Sequence, residues 1–279
     1  MTPARAVRFG VYLPAFGPFG DPAVLADLAV RAEASGWDGV FLWDHLVRAD
    51  MPVADAWTCL AAMAQATRAL RLGPMVTPLA RRRPWVVAGQ AATVSALSGG
   101  RLIFGTGLGS DESGDFSRFG EPADRRVRGQ LYDEGLALVR AVWSGQPFRH
   151  DGQHYQVSLE QGSPARYPIP VWVASSTGNP RVIRRAADCD GIFPDTHGQA
   201  PAVAEVLGLG AALAQAGLPA GRPFDIALAG NASPAWQESF GVDLAGLAEA
   251  GMTWWLESLI HFDPLELSLA VVDAGPPRL

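Results

Sequence analysis

The chain has 279 residues, 48% of them hydrophobic, which is ample for one large core. Its formal net charge is -6 with acids and bases mixed along the chain, so nucleic acid is excluded as the main partner, because phosphate binding needs a basic face. Two cysteines without metal-ligand spacing exclude a disulfide scaffold and a zinc site, and they suit a reducing, cytoplasmic compartment. The first residues, MTPARAVRFGVYLPAFG, lack a sustained apolar stretch of the signal-peptide kind, and no apolar run is long enough to span a membrane.

In chain order, short apolar runs alternate with longer amphipathic ones. VRFGVYLP predicts a strand. DPAVLADLAVRAEASG predicts a helix with Asp21 as cap, Pro22 at its first position and Gly36 as stop. DGVFLW, LRLGPMV and RLIFGTG predict three more strands. The helices VADAWTCLAAMAQATR and RPWVVAGQAATVSALSGG lie between them. Such alternation signals parallel strands joined by crossover helices. DRRVRGQLYDEGLALVRAVWSG is a long helix. The segment 145–168, rich in Gly, Pro and polar residues, is an insertion carrying a hairpin. IPVWVASS, DGIFP, PFDIALAG and MTWWLES resume the strands, each followed by a helical run. Eight strand–helix units predict a (β/α)8 TIM barrel, with an insertion between strands 4 and 5, as a single domain over 1–279. A doubly wound sheet is the alternative, but LPAFGPFGDP after the first strand lacks the GxGxxG spacing.

A barrel carries its chemistry where the strands end. Those ends read WDH (Trp43–His45), PMVTP, GTGLGSDE, ASSTGNP, FPDTHG, AGNASP and LESLIH. A histidine at the mouth can exchange a proton with a bound ring or substrate, and an aspartate can fix its tautomer. Adjacent strand residues point to opposite sides, so Asp44 and His45 need not share one task. GTGLGSDESG and ASSTGNPR are glycine-containing turns after strands. The second opens a helix at Pro180, which suits a phosphate. The run Arg81–Arg82–Arg83 reads either as solvated surface or as a reach toward an anionic tail. Asp111, Glu112 and Glu257 lie at strand ends, but nothing in their spacing separates a glycosidase pair from loop caps. HxH and HExxH patterns are absent, so a metal hydrolase has no support and no metal ligands are assigned.

AEASGWDGVFLWDHL, LSGGRLIFGTG, DGQHYQV and PIPVWVASSTGNP, in this order, carry a resemblance that runs along nearly the whole chain to the bacterial luciferase-like family of flavin- or deazaflavin-dependent oxidoreductases. The resemblance implies an oxidoreductase or monooxygenase with a small-molecule substrate. It is compatible with a homodimer and with a separate flavin or F420 reductase. A non-catalytic flavin-binding barrel is the competing class. The resemblance implies that Asp44 and His45 lie near the cofactor ring, with His45 in proton transfer. It also implies that Pro74, Met75, Val76 and Thr77 back the ring around a non-prolyl cis peptide. Gly107 and Gly109 then line the cofactor, and Ser175, Ser176, Thr177 and Gly178 hold its phosphate. One position departs from the pattern: where some deazaflavin relatives carry a glutamate after the strand-four glycines, this chain has Ser110. WDH is closer to the coenzyme F420 branch than to luciferases proper, and the Ala-, Gly- and Arg-rich composition suits a GC-rich actinobacterial genome. F420 is therefore the favoured cofactor and FMN the alternative.

Overall fold

A computed structural model describes residues 7–176, 179–195, 201–234 and 241–279, of which Ser175, Ser176 and Asp195 by their backbone. The strands are β1 (Arg8–Leu13), β2 (Gly39–Leu42), β3 (Arg71–Pro74), β4 (Thr77–Pro78), β5 (Phe104–Gly107), β6 (Phe148–Asp151), β7 (Gln156–Leu159), β8 (Val171–Ser176), β9 (Gly191–Asp195), β10 (Asp225–Gly230) and β11 (Trp254–Ser258). The helices are α1 (Pro22–Ala34), α2 (Ala56–Ala66), α3 (Pro84–Leu97), α4 (Arg125–Ser144), α5 (Pro180–Ala187), α6 (Val203–Gln215), α7 (Leu244–Glu249) and α8 (Leu265–Asp273). The parallel sheet runs β3-β2-β1-β11-β10-β9-β8-β5-β4. β3 and β4 are two halves of one barrel strand, broken at a cis peptide between Met75 and Val76. β3 pairs with β2 and β4 with β5, and a bridge between Leu72 and Leu102 completes the closure into a barrel.

Local chemistry accounts for the element ends. Asp21, Asp55 and Asp124 cap α1, α2 and α4 by accepting backbone N–H bonds from Ala23, Thr58 and Val127. Gly145, with φ +71°, ends α4 in the left-handed region. β3 and β5 approach so closely that a Cβ on Gly73 would meet the Ile103 carbonyl oxygen, and one on Gly105 the Pro74 carbonyl oxygen.

The predicted insertion is the antiparallel hairpin β6–β7 between α4 and β8. Glu134 of α4 accepts from His150 Nε2 at 3.1 Å and from the backbone N–H groups of Gln153, His154 and Tyr155, clamping the hairpin turn to the helix. Tyr155, Phe116, Leu131 and Leu138 form a small apolar cluster beneath it.

Two larger apolar layers hold the barrel. Val11, Leu42, Leu72, Phe104 and Trp255 face outward into the helices. The interior is filled by Phe41, Trp172 and Trp254, then by Met75, Ile103, Phe193, Ala229 and Leu256. Phe41 stacks on Trp172 at 5.5 Å, and Trp254 meets both rings edge-on. Tyr12, Val76 and Ala174 pack on this plug and stay partly exposed, so they form the floor of the mouth.

Candidate functional site

The residues after β2 divide as strand alternation predicts. His45 stays partly exposed at the mouth, its side chain 22% accessible. Asp44 is buried and turned into an ion cluster. Its Oδ2 accepts from Thr77 Oγ1 at 2.9 Å, and Oδ1 accepts from Arg82 Nη2 at 2.6 Å. Arg81 donates to the Asp44 carbonyl and lies 3.4 Å from its carboxylate. Thr77 in turn accepts from Trp57 Nε1 at 3.0 Å. Arg81 and Arg82 therefore neutralise buried carboxylates, and these two are neither solvated surface nor a free anion trap. Arg83 alone of the three is exposed, with its guanidinium over Trp85.

His45 has a different aspartate. Its Nδ1 lies 2.7 Å from Oδ2 of Asp115, whose side chain is 1% accessible. Oδ1 of Asp115 accepts from the N–H groups of Leu46 at 2.6 Å and Val47 at 3.3 Å, and Arg81 Nη1 is 3.5 Å away. Burial pushes the Asp115 carboxyl up, but the His45 and Leu46 hydrogen bonds and the His45 and Arg81 charges outweigh it and hold the group below the usual carboxylate range. An ionised carboxylate only accepts, so Nδ1 carries a proton, and in the neutral form of the imidazole the lone pair lies on Nε2, where another proton can add. Asp115 was not a sequence candidate. It lies in a polar loop 70 positions from His45, and only the fold brings the two together.

The other strand-end acids do not converge. Asp111 accepts from Ser117 and Phe116 N–H groups, and these bonds hold it below its ordinary range. Glu112 is exposed, and Ser110 Oγ accepts from the Glu112 N–H at 3.2 Å. Glu257 is fully buried and accepts from Ala232, Ser233 and Trp255 Nε1, fastening the loop after β10.

Of the expected cofactor-lining residues, Thr77 is buried against Asp44 and Trp57, and others reach the same mouth as His45. The cis bond lies between Met75 and Val76. Met75 is buried in the barrel plug, and Val76 reaches the mouth floor. Pro74 closes β3, and its carbonyl faces Gly105. A Cβ on Gly107 would meet Val76 at 3.0 Å and Ala174 at 3.2 Å, so glycine keeps this part of the floor flat. Gly109 has φ +69° and abuts Pro78, while its carbonyl accepts from Arg128 Nη1 at 2.8 Å. Across the floor stand Tyr12 and Trp43, 5.3 Å apart. The Trp43 Nε1 donor is buried with no partner among the described residues. Ser175 and Ser176 end β8, in register with Pro194 and Asp195, whereas Thr177 and Gly178 lie outside the described residues. Asn179 caps α5 by accepting from Arg181 N–H, and Pro180 has no N–H. A cavity of about 550 Å³ lies on the barrel flank between α5 and α6, lined by Ile183, Val206, Leu209 and Leu228. It contains none of the mouth residues.

The chain matches the family model for luciferase-like monooxygenases over residues 7–239 and belongs to that family. It is 33% identical over 211 residues to an F420-dependent glucose-6-phosphate dehydrogenase of Nakamurella multipartita, an overlap covering 73% of this chain and 60% of that one. The chain thus spans roughly half to two thirds of the curated relatives it matches. Among solved structures it resembles an F420-dependent secondary alcohol dehydrogenase in complex with an F420–acetone adduct, with a TM-score of 0.75 and 16% identity over 96% of this chain and 97% of that one. It also resembles a type II Baeyer-Villiger monooxygenase component from Pseudomonas putida in complex with FMN, with a TM-score of 0.65 and 18% identity over 81% of this chain and 67% of that one. These two likenesses speak for the fold.

Proposed function

We propose that the chain is a cytoplasmic oxidoreductase that binds coenzyme F420 in the barrel mouth and transfers hydride between it and a small organic substrate. The observation that carries this reading is the mouth histidine, His45, held through Nδ1 by the buried Asp115 with Nε2 left for a reacting proton. The dehydrogenase names of the curated relatives support the hydride reading.

The residues present fit a flat tricyclic ring. Val76, Gly107 and Ala174 offer a low apolar floor, Tyr12 and Trp43 an aromatic wall, and Trp43 Nε1 an unused donor. When bound, a deazaflavin gives or takes a hydride at C5 and does not usefully activate oxygen. Asp115 fixes the His45 tautomer and stabilises the imidazolium that forms when Nε2 takes a proton from a substrate hydroxyl. In the reverse direction Nε2 returns that proton to a carbonyl oxygen. Asp44 acts at one remove: with Arg81, Arg82 and Thr77 it holds the end of β2 against β4. Ser175, Ser176, Thr177 and Gly178 are the proposed phosphate segment, supported by the end of β8 at Ser176 and the capped start of α5 at Pro180, which flank it in sequence.

A second reading, monooxygenation with reduced FMN, is supported by the family's own description and by the FMN-bound neighbour. It would call for a separate reductase. The whole chain is proposed as one barrel domain, and a homodimer belongs to the same reading. Parallel titration of purified protein with F420 and FMN separates the two cofactor readings. Tighter F420 binding is expected, and tight FMN binding with no F420 binding would reverse the assignment.

A further inference from the structure

We propose that Arg48 and His261 hold an anionic group of the substrate, a carboxylate or phosphate, at the edge of the mouth. The proposal rests on the mouth being the reaction site and adds the chemical class of the substrate.

Arg81 and Arg82 each face a buried carboxylate, but Arg48 makes no ion pair among the described residues. Its Nη1 donates to Ser113 Oγ at 2.5 Å, its guanidinium covers the Phe16 ring at 4.9 Å, and its Nη2 lies 3.5 Å from His261 Nε2. Most of its donors have no partner among the described residues. A half-buried cation without a counterion is costly unless a ligand supplies the charge. The loop that carries it is held in place: Ala54 N–H donates to the Ala15 carbonyl, Val53 bridges Phe16, and Met51 N–H closes a turn on Arg48. In that turn Ala49 takes φ +39°, a conformation few non-glycine residues adopt.

His261 joins from the loop after β11. Its ring packs on Phe16 at 4.8 Å, and Phe16 also packs on His45 at 5.4 Å, so Phe16 connects the two histidines. His261 Nδ1 is buried with no hydrogen-bond partner among the described residues. The charged groups bearing on it are Arg48 and His45. Its other neighbours are Phe16, Gly17 and Phe262. Burial first, then the Arg48 guanidinium and the nearby His45 imidazole, hold His261 below its ordinary range. An anion between Arg48 and His261 would cancel the repulsion and let the imidazole take up a proton, so binding should tighten as pH falls.

Sulfate, whose charge stays constant over the titration, is the probe. The His261 imidazole signal, assigned by its loss in His261→Asn, is followed by NMR against pH in the apoprotein and in the cofactor-loaded protein. Sulfate should raise its midpoint by about 1 unit. Arg48→Gln should weaken sulfate binding about tenfold or more, while cofactor affinity stays within about twofold, the scale of a removed contact that is not made. A midpoint that ignores sulfate in both forms would overturn the proposal. So would an Arg48→Gln variant that loses cofactor affinity but keeps sulfate, since the anion held would then be the cofactor's own acidic tail. Failure of both F420 and FMN to bind would defeat the cofactor reading alone, and the apoprotein titration would still decide this one.

Discussion

At the scale of single residues, the account turns on which aspartate serves His45. Asp44 is adjacent in sequence but belongs to the arginines. Asp115 is distant and belongs to the histidine. His45→Gln should leave the fold intact and lower turnover by about 10²-fold or more, the usual scale for a proton-transfer group. Asp115→Asn keeps the shape but can present an amide N–H to Nδ1. It should lower turnover at least about tenfold by favouring the wrong tautomer, with little change in cofactor affinity. Steady-state kinetics with a cofactor titration reads both variants. Wild-type turnover in either would show that the pair is structural. The His45 position was legible from alternation at a strand end. Asp115 was not, because the loop Asp111–Gly120 has no periodicity and its acids look alike until the fold buries one. The arginine run misled for a related reason: three adjacent charges read as solvated surface, and only the carboxylates of Asp44 and Asp115 make burial of Arg81 affordable.

At the scale of elements, the helices and strands were legible because each is punctuated by chemistry that a sequence displays: Asp caps, Pro at first turns, Gly after last turns. The break between β3 and β4 has no such local signal and was expected only from the family resemblance. LSGGR, one of the most specific stretches of that resemblance, sits far from the mouth, at the start of β5. Arg101 Nε donates to Ser98 O. Its Nη1 donates to Thr67 Oγ1 and Leu70 O, and its Nη2 to Ala64 O and Thr67 O, so every N–H of the guanidinium is used. Arg101 thus ties the end of α2 and the start of β3 to the strand that follows α3. A lysine cannot reproduce that fork. Arg101→Lys should destabilise the protein by about 2–3 kcal/mol through carbonyls left unpaired, measurable by urea unfolding, with cofactor affinity unchanged. Unchanged stability would mean that water replaces the lost donors at no cost. Arg48, most of whose donors have no partner among the described residues, contrasts with this structural arginine.

At the scale of the whole molecule, the carboxylates that the fold holds low link it to pH: Asp111, Glu33, Glu134 and Asp115. Burial opposes ionisation of Glu33, but N–H bonds from Ala69, Leu70 and Arg68 outweigh it. Burial likewise opposes Glu134, and His150 with the hairpin N–H groups outweighs it. Asp115 follows the same balance. Each folded value lies below the unfolded one, so each group's contribution is complete above the ordinary carboxylate range and lost as pH falls through the folded values. His261, also lowered, begins to lose its contribution below its ordinary value of 6.5. The melting temperature should therefore decline modestly below about pH 6.5 and steeply below about pH 4.5. Calorimetry on wild type and Glu33→Gln checks this, with a shallower acid slope expected in the variant. A melting temperature flat down to about pH 3.5 would show that these groups are not linked to folding.

Among the described residues no helix is long and apolar enough to cross a membrane, and the chemistry gathers at one end of the barrel. The central claim is hydride transfer with His45 as the proton partner. The measurement that tests it most directly is turnover with F420 under strict exclusion of oxygen, comparing wild type with His45→Gln across a panel of small alcohols and carbonyls. The account predicts F420 reduction or reoxidation by wild type without oxygen and a loss of about 10²-fold in the variant. Turnover that requires oxygen and reduced FMN, or F420 turnover indifferent to His45, would contradict it.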